Sequence, residues 1–147
     1  MNAGIRKDPM YRFLILLTIA GAIGLQVWRT LFNNFAVEVG GLEGFQVGII
    51  QSVREIPGFL SLLAVYVMLL VREHRLSAFS ILVLGAGVGA TGFFPSYQGL
   101  ILTTLLMSFG FHYFETTNQS LTLQYFDQDT SPLVFGSQRS YAAATNI

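Results

Sequence analysis

Between Tyr11 and about Phe35 the chain runs as one apolar stretch, longer than the ~20 helical residues that cross the hydrocarbon core of a bilayer. Three more such runs follow, Phe45 to Val71, Leu76 to Phe94 and Leu100 to about Phe126. Leu133 to Ile147 reads as the start of a fifth. Only 11% of the residues are charged, against roughly 25% in soluble domains. So few charges do not cover a globular surface, and lipid is the expected solvent. The runs predict an all-α, polytopic membrane bundle: one domain over residues 1–147, with four transmembrane helices near 11–35, 45–71, 76–94 and 100–126 and a truncated fifth over 133–147. The last run ends without a breaker or a polar tail, so the chain is expected to be an N-terminal fragment that stops in mid-helix.

The breaks between the runs orient them. Arg6, Lys7, Arg12, Arg72, Arg75 and, at the entry of the last run, Arg139 fall on one side. The other side has Glu38 and Glu43 and no Lys or Arg. Lys and Arg in short loops mark the cytoplasmic face, so a multi-pass protein of the inner, cytoplasmic membrane with a cytoplasmic N-terminus is expected. Trp28, Tyr97 and Tyr125 lie near helix ends, where interfacial aromatics gather, although Trp28 equally suits a cavity wall. Pro57 lies inside the second run and predicts a kink.

Composition also excludes. A formal net charge of zero gives no reason to expect nucleic acid. The absence of cysteine excludes disulfides and thiolate metal sites. No nucleophile–base set, metal-ligand spacing or phosphate loop stands out, so neither an enzyme nor a cofactor is expected.

Two polar stretches interrupt the apolar pattern from within. One is Gly24 to Asn34, Gly-Leu-Gln-Val-Trp-Arg-Thr-Leu-Phe-Asn-Asn; the other is Phe109 to Thr122, Phe-Gly-Phe-His-Tyr-Phe-Glu-Thr-Thr-Asn-Gln-Ser-Leu-Thr. Gln26, Arg29, Thr30 and Asn33 recur at i, i+3, i+4 and i+7, and His112, Glu115, Gln119 and Thr122 nearly repeat that spacing, with Asn118 beside them. Each set is a one-sided stripe on its helix. Ionisable groups inside a membrane span are costly and normally face a protein interior or a water-filled path. A transport cavity lined by Gln26, Arg29, Asn33, His112, Glu115, Asn118 and Gln119 is therefore expected.

A constant offset lays one stretch over the other. Gly24 falls on Gly110, Gln26 on His112, Trp28 on Phe114, Arg29 on Glu115, Thr30 on Thr116 and Asn33 on Gln119. The first helix runs outward and the fourth inward, the relation of inverted-topology repeats whose substrate sites lie near the midplane. At about 1.5 Å per residue, Arg29, Arg54 and Glu55 all sit in the outer half. Arg29–Glu55 is then the level pair, a gate or a structural tie, with Arg54 pointing to another face. Glu115 and His112 lie nearer the substrate, where they suit proton coupling. Against these stand a buried pair that only fixes helix register and a His112 that is only a core residue.

Gly87-x-Gly89-x-x-Gly92 follows a β-branched apolar run and taken alone looks like a dinucleotide-binding fingerprint. That motif needs a strand before it and an acid about 20 residues on, and the next acid, Glu115, lies too far along inside another apolar run. Gly85, Gly89 and Gly92, at i, i+4 and i+7, are better read as a small-residue face for helix packing.

The loop between the second and third runs brings in a family. The major facilitator superfamily carries there a motif of the type Gly-x-x-x-Asp-Arg-x-Gly-Arg. Here the stretch is Val67-x-x-x-Val71-Arg72-Glu73-His74-Arg75, in which the two arginines match and the glycines and the aspartate do not. With its helix lengths, tight loops and polar first and fourth helices, the chain resembles the N-terminal part of such a transporter. The resemblance implies a twelve-helix parent, a central cavity lined by helices one and four, and alternating access by rocking of two halves. It implies a secondary active transporter of a small solute, with Arg72 and Arg75 as a cytoplasmic loop motif; the fragment alone should not transport. The alternative is a small four- or five-helix membrane scaffold or assembly subunit without transport activity.

Overall fold

A computed structural model of the chain describes residues 3–145, all of whose regular elements are helical. The expected run to Ile147 reaches past the described residues. A short α1, Ala3–Lys7, leads into α2, Pro9–Glu38. Asp8 caps α2, its carboxylate accepting from Met10 N (2.7 Å) and Tyr11 N (3.3 Å). Pro9 follows at the first helical position, where its missing N–H costs nothing. The turn after α2 needs Gly41, whose φ is +64°, and Gly40, where a Cβ would lie 2.7 Å from the Pro95 carbonyl oxygen.

The second apolar run is not one helix. It divides into α3 (Gly44–Val53), α4 (Ile56–Phe59), a 3-10 turn (Leu60–Leu62) and α5 (Leu63–Leu70). The break lies ahead of Pro57, at Arg54 and Glu55. A proline ring clashes with the carbonyl four residues back, which here belongs to Val53, the last residue of α3. The expected disturbance is thus present as a tightened turn: Arg54 and Glu55 keep right-handed helical dihedrals, and Glu55 N bonds the Ser52 carbonyl three residues back.

Next come α6 (Glu73–Thr91), α7 (Tyr97–Tyr125) and α8 (Ser131–Ala144). Ser96 caps α7 by accepting from Gly99 N (3.2 Å). α6 and α7 pack most closely of all, through Gly87, where a Cβ would lie 2.6 Å from Met107 Cα, and Gly110, where one would lie 2.6 Å from the Ser80 carbonyl oxygen. The small-residue face therefore differs from the expected one. Gly85 and Gly89 have open space where a Cβ would stand, and Gly92 meets only the Gly89 carbonyl at 3.9 Å.

Among the described residues two segments, Pro9–Glu38 and Gly44–Leu70, are long and apolar enough to cross a membrane. Four were expected. α6 opens on Glu73, His74 and Arg75, and α7 spreads Thr, Ser, Asn, Gln and Glu among its apolar residues, so both are less apolar than their runs suggested. Only 11% of the most apolar part of Gly44–Leu70 is buried, unlike the core helix of a soluble protein. The core proper is Trp28, Phe32, Ala36, Leu42, Ile50, Leu84, Leu100 and Met107. Trp28 is only 2% exposed and stacks on Phe32 at 4.3 Å, so it is neither an interfacial aromatic nor part of a cavity wall.

Candidate functional site

A cavity of about 480 Å³ opens between α2, α7 and α8. α2 supplies Thr18, Gln26 and Arg29; α7 supplies Glu115, Asn118 and Gln119; α8 supplies Gln138 and Arg139. Phe111, Phe114 and Phe135 give it an aromatic wall. Five of the seven residues expected in a cavity are thus brought together: Gln26, Arg29, Glu115, Asn118 and Gln119.

The other two go elsewhere. Asn33 lies one turn too far along α2 and accepts from the Gln51 amide (3.2 Å), tying α2 to α3. His112 turns toward α4: a Cβ on Gly58 would lie 3.1 Å from its Cε1, and its ring meets Phe111 edge-on at 5.2 Å. The His112–Glu115 relay is therefore not assembled. The two residues lie about 60° apart around the helix, enough to send one into the cavity and the other onto a neighbouring helix.

The expected Arg29–Glu55 pair is also absent. Glu55 binds its own neighbour, Arg54, at 2.5 Å. Within a helix, adjacent side chains diverge, but both residues stand in the joint between α3 and α4, where that rule lapses. The Arg54 guanidinium also lies 5.5 Å from the Trp28 ring centroid. Its carbonyl accepts from Ser108 Oγ, so this cluster fastens the joint to α2 and α7.

Within the cavity the charges enter at different heights. Gly21 packs on Phe114, with a Cβ position 3.2 Å from the Phe114 Cε1. Arg29 lies eight residues beyond Gly21, about 12 Å along the axis, and Glu115 follows Phe114 directly. Arg139 enters from α8, where the preceding residue, Gln138, bonds Asn118, one turn from Glu115. Among the described residues neither Arg29, Arg139 nor Glu115 has an ion-pair partner; the one such pair is Arg54–Glu55.

The cavity floor is a closed amide lock. Asn118 Nδ2 donates to Gln138 Oε1 (3.3 Å), and Gln138 Nε2 donates to Thr122 Oγ1 (3.1 Å) and Asn118 Oδ1 (3.5 Å). Asn118 is thus committed to α8, and Gln138 is a residue that sequence reasoning missed. Arg139 was read as a cytoplasmic-side arginine; it lies in the third turn of α8, beside the cavity. The signal for both was a polar Gln138-Arg139 pair inside a helix otherwise made of small and apolar residues.

Comparison with protein-family models, with curated proteins and with solved structures finds no match to this chain.

Proposed function

We propose that this is a multi-pass protein of the inner membrane, N-terminus cytoplasmic, acting as a secondary active transporter of a small solute. α2, the jointed α3–α5 segment, α6 and α7 are its spanning helices, and the α2–α7–α8 cavity is its solute site. One observation carries the reading: Arg29, Glu115 and Arg139, unpaired among the described residues, line one open cavity between three helices, while the outward faces are apolar, with Phe59 81%, Leu70 88% and Leu102 67% exposed. Intramembrane ionisable groups that face a cavity mark substrate and ion paths. Alternating access in the manner of the major facilitator superfamily fits the cavity's place between helices one, four and five, and Arg72 and Arg75 stand exposed at the entry of α6 as a loop motif requires.

Glu115 is the proposed proton-coupling group, as the only carboxylate among the described residues of the cavity. The test is solute flux through proteoliposomes of the complete gene product, with and without a pH gradient. The reading expects flux that follows the gradient and loses that dependence in Glu115→Gln. Flux indifferent to pH removes Glu115 from coupling. No flux of any solute leaves the scaffold reading in its place.

A further inference from the structure

We propose that the α2–α7–α8 cavity takes a singly charged organic anion with an apolar or aromatic body. This rests on reading that cavity as the solute site. Among the described residues its wall carries two cations, Arg29 and Arg139, and one anion, Glu115, which leaves one positive charge over. None of the three is paired within the described chain, whereas Arg54, outside the cavity, is already answered by Glu55. Arg29 and Arg139 are exposed and Glu115 is half-buried, so the surplus positive charge is accessible at the cavity, and a ligand with one negative charge gains most by entering.

The recognising groups suit such a ligand. A guanidinium presents a planar donor fork that matches carboxylate, sulfonate or phosphate oxygens. The Thr18 hydroxyl, lining the same cavity, is buried and has no hydrogen-bond partner, so a donor is in reserve. Phe111, Phe114 and Phe135 face the remainder of the ligand. A polyol would set its hydroxyls against those rings and leave them without partners. A cation would meet two guanidinium groups. A volume of about 480 Å³ falls within the range of sites for small molecules.

Three probes share a ring and differ in charge: benzoate, benzamide and benzylamine. Each is titrated calorimetrically into the purified protein in detergent micelles. Benzoate is expected to bind about 10-fold more tightly than the other two, ~1.4 kcal/mol. Arg29→Gln and Arg139→Gln are expected to weaken benzoate by about 10-fold each and to leave benzamide unchanged. Glu115→Gln raises the wall charge, so phthalate, a dianion, is expected to gain on benzoate. A misfolded variant cannot mimic that gain. Benzylamine binding as tightly as benzoate, or arginine variants with unaltered benzoate affinity, overturns the anion assignment and leaves the solute site standing. Binding of none of the three overturns both.

Discussion

Gly110 of α7 lies directly against the backbone of Leu84 of α6, with the Leu84 Cα 2.8 Å from where a Cβ on the glycine would stand. Gly24 of α2 meets the same leucine from another side, at its Cδ2, 2.5 Å from the corresponding position. Leu84 is thus clasped between the two glycines that the offset of the polar stretches aligns. Gly110→Ala is expected to destabilise the protein by about 1–3 kcal/mol, because backbone cannot step aside. Gly24→Ala should cost less, since a leucine methyl can turn away. Gly85→Ala, in open space, should be neutral. Thermal unfolding in detergent ranks the three, and a Gly85 variant as damaged as Gly110 would contradict the packing described.

The amide lock predicts a marked non-additivity. Asn118→Leu leaves the buried Gln138 amide short of partners, as Gln138→Leu does for Asn118, at about 1–3 kcal/mol each. The double substitution removes both halves and should cost well below the sum, although Thr122 loses its donor wherever Gln138 is replaced. A double-mutant cycle read by thermal unfolding measures the coupling. Strict additivity would mean that the two amides do not act on one another.

Trp28 is the only tryptophan, so intrinsic fluorescence reports on it alone. Arg54→Gln removes the guanidinium over its ring, a contact worth roughly 0.5–2 kcal/mol, and should alter the emission. Glu55→Gln frees the guanidinium and should lower stability while leaving cavity binding unaffected, since Glu55 lies outside the cavity. Emission unchanged in Arg54→Gln would place the arginine elsewhere.

Much of this architecture was legible beforehand, for local reasons. Pro57 announces a break. The cavity stripes on α2 and α7 followed from spacing alone. Spacing did not separate neighbours on the same helix, however. Gly85 and Gly87 are about 160° apart around the helix, and either belongs to a plausible small-residue row; only the approach of Met107 selects Gly87. His112 and Glu115 share a stripe until α4 arrives with Gly58 and claims the imidazole. The Arg54–Glu55 bond was illegible because divergence of adjacent side chains presumes a continuous helix. Gln138 and Arg139 were overlooked because the last run was read as an entry segment, and its inward face depends on where α8 leans.

Acid should loosen the turn between α7 and α8. The Asp127 carboxylate accepts from Thr130 Oγ1 (2.6 Å) and Thr130 N (2.8 Å). The Thr130 hydroxyl bond first, and then its N–H, hold the Asp127 pKa below the ordinary 3.8. Hydrogen bonds to the charged form stabilise the folded turn. A depressed folded-state value means this contribution is complete above 3.8 and is lost as pH falls below it, through the folded-state pKa. Chemical-shift titration of Asp127 should show the low value, and Thr130→Val should move it back toward 3.8. A titration unaffected by that substitution would show the bonds to be immaterial.

The joint at Arg54–Glu55 has a mechanical consequence. A continuous rod of the length of Gly44–Leu70 would carry a tilt from one of its ends to the other. Here the rod is interrupted. α3 is tethered to α2 through Gln51 and Asn33, α4 rests on His112, and α5 ends in Leu69 and Leu70, 78% and 88% exposed. The interruption is itself pinned, by Arg54 to Trp28 and to Ser108, so each side of the segment is held by a different set of partners.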